Sequence, residues 1–157
     1  VSIVTGYAFD PMVGDPDDHR PGTVWSVLAD AGGGDGRVDD LVAIVERIGA
    51  GEAIPLHVHR VSEVIFVHGP GVQRLGDEQR VVGNGDVVFI PAGTPHGLRN
   101  TGTTALSIEA VFPTDRIWLR YLERNPAPGT EADEPSRPFT VLVRTGEVIP
   151  DPPEADA

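Results

Sequence analysis

The sequence predicts an all-β fold, a barrel or sandwich of short strands. Three features carry this expectation. Glycine (19) and proline (15) interrupt the 157-residue chain often, so apolar runs stay short. The runs favour β-branched and aromatic residues, which suit a pleated, half-buried surface. Seven or more of them recur at roughly 8–12-residue spacing, the rhythm of a sandwich or barrel.

Each element has its own signal. Thr23–Asp30, "TVWSVLAD", reads as a strand, followed by a flexible loop at "AGGGDG", residues 31–36. Asp40–Ile48, "DLVAIVERI", reads as a second strand, closed by a turn at "GAGE". "IPLHVH" and "SEVIFVH" read as a strand pair with a tight connection at Arg60–Val61. Val72–Val82 reads as a hairpin turning at Gly76–Asp77. "DVVFIP" is a buried strand, "HGLRN" opens another, and "ALSIEAVF" alternates over enough length to cross a sheet. "DRIWLRYLER", residues 115–124, places Ile117, Trp118, Tyr121 and Leu122 at helical spacing. A short helix packed outside the barrel is expected there, with a lid or dimer contact as the alternative. Residues 125–138 read as a loop, Phe139–Arg144 as a returning edge strand, and the closing "PDPPEADA" as disordered tail. The whole, residues 1–157, is expected to be one domain with its barrel core at about 23–113.

Composition narrows the chemistry. A 39% hydrophobic content supplies one core. The net charge of −12 argues against nucleic-acid and anionic-membrane partners, which need basic patches. The acids Asp10, Asp15, Asp17 and Asp18 read as solvated loop residues, and His19 beside them likewise. There is no cysteine, so disulfides, thiolate nucleophiles and zinc–thiolate sites are excluded. All 12 basic residues are arginine, so lysine Schiff-base chemistry and a Walker A loop are excluded too. No run of 18 apolar residues and no basic flank precede the first strands, and a soluble, cytoplasmic protein is expected.

One stretch breaks the apolar pattern. "PLHVHRVSEVIFVHG" puts His57, His59 and Glu63 into a segment that otherwise reads as buried strand. Alternate strand residues share a face, so His57 and His59 lie roughly 6–7 Å apart on one side. Two imidazoles at that spacing can converge on one ion at about 2.0–2.2 Å from each nitrogen. If the chain turns back at residues 60–62, Glu63 joins them from a neighbouring strand. Buried imidazole and carboxylate are costly without a compensating partner. His68, five residues after Glu63, falls on the opposite face.

A second stretch, "GDVVFIPAGTPHGLRN", completes a pattern. Gly51, His57, His59 and Glu63 fit G-x5-H-x-H-x3,4-E-x6-G, except that its last glycine is Pro70, flanked by Gly69 and Gly71. Gly85, Pro91, Gly93, His96 and Asn100 fit every position of G-x5-P-x-G-x2-H-x3-N. In these two motifs, which span about a third of the chain, the sequence resembles the cupin superfamily of small β-barrels (jelly rolls). The resemblance implies a metal held by His57, His59, Glu63 and His96. It also implies a homodimer. Gly85 and Gly93 read as turn glycines, Pro91 as a strand end, and Asn100 as a turn anchor.

Such a ligand set suits one divalent transition metal: Fe, Mn, Ni, Co, Cu or Zn. Strand alternation nominates Ile65, Val67, Phe89 and Ile108 as pocket lining, with Trp25 near the mouth. An apolar pocket suits a small organic ligand, aromatic or polyketide-like. No arginine is clearly aimed at the metal, with Arg47 and Arg99 left open. The leading expectation is a metal-dependent enzyme of dioxygenase type, Glu63 serving as ligand and base. The alternatives are a redox-neutral isomerase, cyclase or lyase, and a non-catalytic ligand-binding barrel.

Overall fold

The computed structural model describes residues 2–32 and 37–153. Thirteen strands are found there: β1 (Asp10–Met12), β2 (Arg20–Ala29), β3 (Val42–Ile48), β4 (His57–His59), β5 (Glu63–His68), β6 (Gly71–Leu75), β7 (Glu78–Val82), β8 (Val87–Ile90), β9 (His96–Asn100), β10 (Leu106–Phe112), β11 (Arg116–Tyr121), β12 (Phe139–Leu142) and β13 (Glu147–Pro150). They form two antiparallel sheets, ordered β1-β2-β3-β10-β5-β8 and β13-β12-β11-β4-β9-β6-β7. The fold is all-β, and the two sheets face each other as a jelly-roll barrel. No helix among the described residues is long and apolar enough to cross a membrane.

The core lies between the sheets. Ile48, Ile65, Val67, Leu98, Leu106 and Ile108 are each at most 2% exposed. The alternation expected of residues 105–112 is realised in β10, where every second residue from Leu106 to Phe112 is buried. β6 and β7 form the expected hairpin around Gly76–Asp77. Gly85 and Gly93 take φ of 92° and 78°, where a side chain would be strained. Asn100 is fully buried and anchors its surroundings. Its amide donates to the carbonyls of Ile48, Gly49 and Thr104, and its oxygen accepts from the Gly102 N–H.

Several expectations are corrected. Residues 115–124 form no helix; β11, Arg116–Tyr121, runs through them instead. The segment also carries a period of two, Ile117–Leu119–Tyr121, and β4 has an edge that must be paired. β11 pairs with it, setting Leu119 against His59 and Tyr121 against His57. The need to satisfy that backbone outweighs the helical spacing. β4 and β5 are not a hairpin: they lie in opposite sheets, and residues 60–62 cross between them. Asp17 and Asp18 are buried, not solvated. Asp17 accepts from Arg124 and from the Ser136 N–H, which ties residues 125–138 to the barrel. The C-terminal strand is a hairpin, β12–β13, and beyond it Asp151 accepts from the Trp118 indole at 2.8 Å. The rest of the expected loop at 31–36 and the last tail residues, 154–157, lie outside the described residues.

Candidate metal centre

Three strands and both sheets build the site. His57 and His59 point inward from β4, as the period of two demands. His96 on β9 stands opposite His57 in register, with ring centroids 4.2 Å apart. Glu63 enters from β5 on the facing sheet, so it meets the imidazoles across the interior rather than beside them. All four residues are buried, and one donor atom of each lies within 4.8 Å of the others.

The backbone sets the imidazole tautomers. Nδ1–H of His57 donates to the Pro55 carbonyl at 2.8 Å, that of His59 to Trp118 at 3.0 Å, and that of His96 to Thr94 at 2.8 Å. Each Nε2 is therefore left with a bare lone pair, the form a metal takes. Glu63 Oε2 lies 2.8 Å from His96 Nε2 and 3.8 Å from His59 Nε2. Neither Glu63 Oε2 nor His96 Nε2 makes a hydrogen bond, although both are fully buried. Two acceptors facing each other repel unless a cation lies between them. Three neutral nitrogens and one carboxylate fit a divalent transition ion, and these residues fit that role.

Burial lowers the basicity of the cluster. The His57 imidazole is held well below its ordinary value of 6.5 by desolvation, then by the neighbouring His96 and His59. Desolvation lowers His59 as well, against the pull of Glu63. In the folded chain both stay neutral where the unfolded chain takes up protons. Their contribution to stability is thus present above pH 6.5 and lost as pH falls toward the depressed folded values. Metal-free protein should lose about 1.4 kcal/mol per pH unit for each histidine below that point. Urea midpoints from pH 8 to pH 5 in chelator test this, and a flat profile would contradict neutral imidazoles.

The cluster opens on a cavity of about 830 Å³. Of the pocket residues nominated from the sequence, Trp25, Ile65 and Ile108 line it. Val67 faces inward but packs into the core, 0% exposed, outside the cavity wall. Phe89 is a correction: it is 73% exposed on the outer face of β8. Paired residues share a face, and Glu63 pairs with Ile90, so Ile90 turns in with Glu63 and Phe89 turns out. Arg47 lies over the Phe9 ring and Arg99 donates to the Gly51 carbonyl, both away from the cavity. His68 pairs with Glu109 on the outer surface, as its place in the alternation implied.

Three polar wall residues went unnoticed in the sequence: Arg20, Gln73 and Tyr121. Arg20 is 1% exposed and holds Asp18 through Nε and Nη2 and Glu46 through Nη1. Tyr121 donates to Asp15 at 2.7 Å, and burial, then the nearby acids, keep its hydroxyl protonated. Strand alternation around Gln73 in "GVQRL" was the one available signal. Arg20 and Tyr121 offered none, because the segments that carry them were read as loop and as outer helix.

Comparison with known proteins agrees with this architecture. The family model for the cupin domain matches residues 44–112. An uncharacterized protein from Methanocaldococcus jannaschii is 40% identical over 55 residues, 34% of this chain. That match spans 44% of the archaeal protein's own length. Among solved structures, the polyketide cyclase RemF from Streptomyces resistomycificus superposes with a TM-score of 0.64 at 24% identity, over 86% of this chain and 94% of that one. A salicylate 1,2-dioxygenase from Pseudaminobacter salicylatoxidans superposes with a TM-score of 0.53 at 21% identity, over 66% of this chain and 28% of that one. These two likenesses establish the fold. The family match runs from within β3 to the end of β10, so the stretch of this chain that is similar to the cupin domain takes in every strand that carries the cluster.

Proposed function

We propose that this protein is a metal-dependent enzyme that acts on a small, largely apolar, oxygen-bearing organic molecule, by redox-neutral cyclase-type chemistry. The observation that carries this reading is the set of four buried donors, three of them tautomer-locked, opening on an apolar cavity of about 830 Å³. His57, His59, Glu63 and His96 would hold the ion. When bound, a divalent transition metal supplies Lewis-acid polarisation of a substrate oxygen, or a redox centre.

The chain's own residues do the rest. Ile65, Ile108 and Phe112 offer apolar wall that orients a ring system and excludes water. Glu63 is the carboxylate of the cluster and takes a proton from the substrate. Tyr121, protonated and tied to Asp15, closes the wall near His57, their ring centroids 6.4 Å apart. Cyclase-type action is favoured because the likeness to the polyketide cyclase runs over most of both chains. The dioxygenase reading rests on a likeness that covers 28% of that enzyme.

Oxygen uptake separates the two. Protein reconstituted with metal is to be supplied with an aromatic polyketide substrate while oxygen and product are followed together. Cyclase action forms a ring without oxygen uptake and stops with chelator. Uptake matched to product would establish the dioxygenase, and binding without turnover by the metal-loaded protein would reduce it to a ligand-binding barrel.

A further inference from the structure

Gln73 is 1% exposed and points inward from β6 into the cavity wall. Its Nε2 donates to the Arg74 carbonyl at 3.1 Å. A carbonyl accepts only from a donor, so the amide nitrogen must face Arg74 and Oε1 must face away from it. Oε1 is buried and has no hydrogen-bond partner. An unpaired amide oxygen in an apolar wall is costly to keep, unless something that enters the cavity pairs with it.

Its position relative to the cluster is set by register. Gln73 stands directly opposite Leu98, and Leu75 opposite His96. Gln73 and His96 are therefore diagonal neighbours on the inner face, about 7–8 Å apart. A ligand held at the cluster spans that distance with one ring. Two other polar groups of the wall are already engaged: each guanidinium nitrogen of Arg20 donates to Asp18 or Glu46, and the Tyr121 hydroxyl donates to Asp15.

We propose that Gln73 is a ligand-selecting residue whose Oε1 accepts a hydrogen bond from a hydroxyl on the molecule bound over His57, His59, Glu63 and His96. The cavity then favours hydroxylated aromatic ligands over their O-alkylated counterparts. This rests on the small-molecule reading of the site, and it narrows the substrate class to phenolic or enolic compounds. A pocket built to pair with a hydroxyl discriminates against analogues that leave its polar atom unpaired.

Calorimetric titration of zinc-loaded and metal-free protein with 2-naphthol and 2-methoxynaphthalene tests it. The full chain should bind 2-naphthol about 10-fold more tightly than the methyl ether. Gln73→Leu and Gln73→Met both match the side chain in size without its polar atoms, and either should reduce that preference to less than about 2-fold. Affinity for the ether and the metal content should stay unchanged. A ratio that is the same in all three proteins overturns the proposal, because Oε1 then pairs with a resident water or with nothing. No preference in the unsubstituted protein overturns it as well. Failure of the metal reading would show separately, as a chain that retains no ion, and the metal-free titrations would still decide the role of Gln73.

Discussion

His96→Ala is expected to strip the protein of its metal while leaving the barrel folded. His96 supplies one of four donors, and its Nε2 lies 2.8 Å from Glu63 Oε2. Changes in the outer shell of a metal site already cost about 10–100-fold in affinity, so loss of a ligand should cost at least about 100-fold. The fold should survive because the imidazole gives up a single hydrogen bond, from Nδ1–H to the Thr94 carbonyl, while its Nε2 has no hydrogen-bond partner to lose. The space it leaves joins the existing cavity. Elemental analysis of protein purified without added metal should give near-stoichiometric ion for the unsubstituted chain and almost none for the variant. Added metal should raise the melting temperature of the first and not of the second. A variant that keeps its ion at unchanged affinity would place the metal somewhere other than this cluster.

The largest loss of stability is expected from Arg20→Met. One guanidinium serves two carboxylates, gripping Asp18 with two bonds of 2.7 Å and Glu46 with one of 2.8 Å. Burial alone would lower the basicity of Arg20, but Glu46 and Asp18 outweigh it and hold the charge in place. Removing the cation leaves two largely buried acids facing each other, a change that costs about 3–5 kcal/mol. For a chain of this size that is a fall of about 10 °C or more in melting temperature. Lysine should rescue little, because a single ammonium cannot reproduce the fork that spans both acids. The loss should also depend on pH. Burial, opposed by Arg20 and assisted by Glu46, pushes Asp18 up to about 6. Below that value Asp18 binds a proton more readily in the folded chain than in the unfolded one, so the variant's deficit should be smaller at pH 5 than at pH 8. A deficit under about 1 kcal/mol at pH 8 would mean that the acids reach water without Arg20.

The strands that carry the two motifs were legible because their information is local. Alternation in "HVH" sets two imidazoles on one face whatever surrounds them, and Gly85, Gly93 and Asn100 report turns that any barrel of this kind must make. Residues 115–124 misled for the opposite reason. Ile117, Trp118, Tyr121 and Leu122 satisfy a helical period, while Ile117, Leu119 and Tyr121 satisfy a period of two. Only the unpaired edge of β4 chooses between them, and that edge is not a local property. Phe89 misled for want of register: its face follows from the pairing of Ile90 with Glu63. The acidic stretch at Asp17 and Asp18 read as solvated because its arginine partners, Arg124 for the first and Arg20 for the second, become partners only through folding.

The sequence by itself determined the β-class, the turns, the inward pair of histidines and the absence of cysteine and lysine chemistry, since each depends on residue type and near-neighbour spacing. Tertiary structure alone decided which sheet each strand joined. It brought Glu63 to the imidazoles from the opposite wall, buried Arg20 between two acids and left the Gln73 oxygen buried and unpaired in the cavity wall. Those outcomes depend on pairing between segments far apart in the chain, where the cost of an unpaired backbone or a buried charge outweighs any local preference.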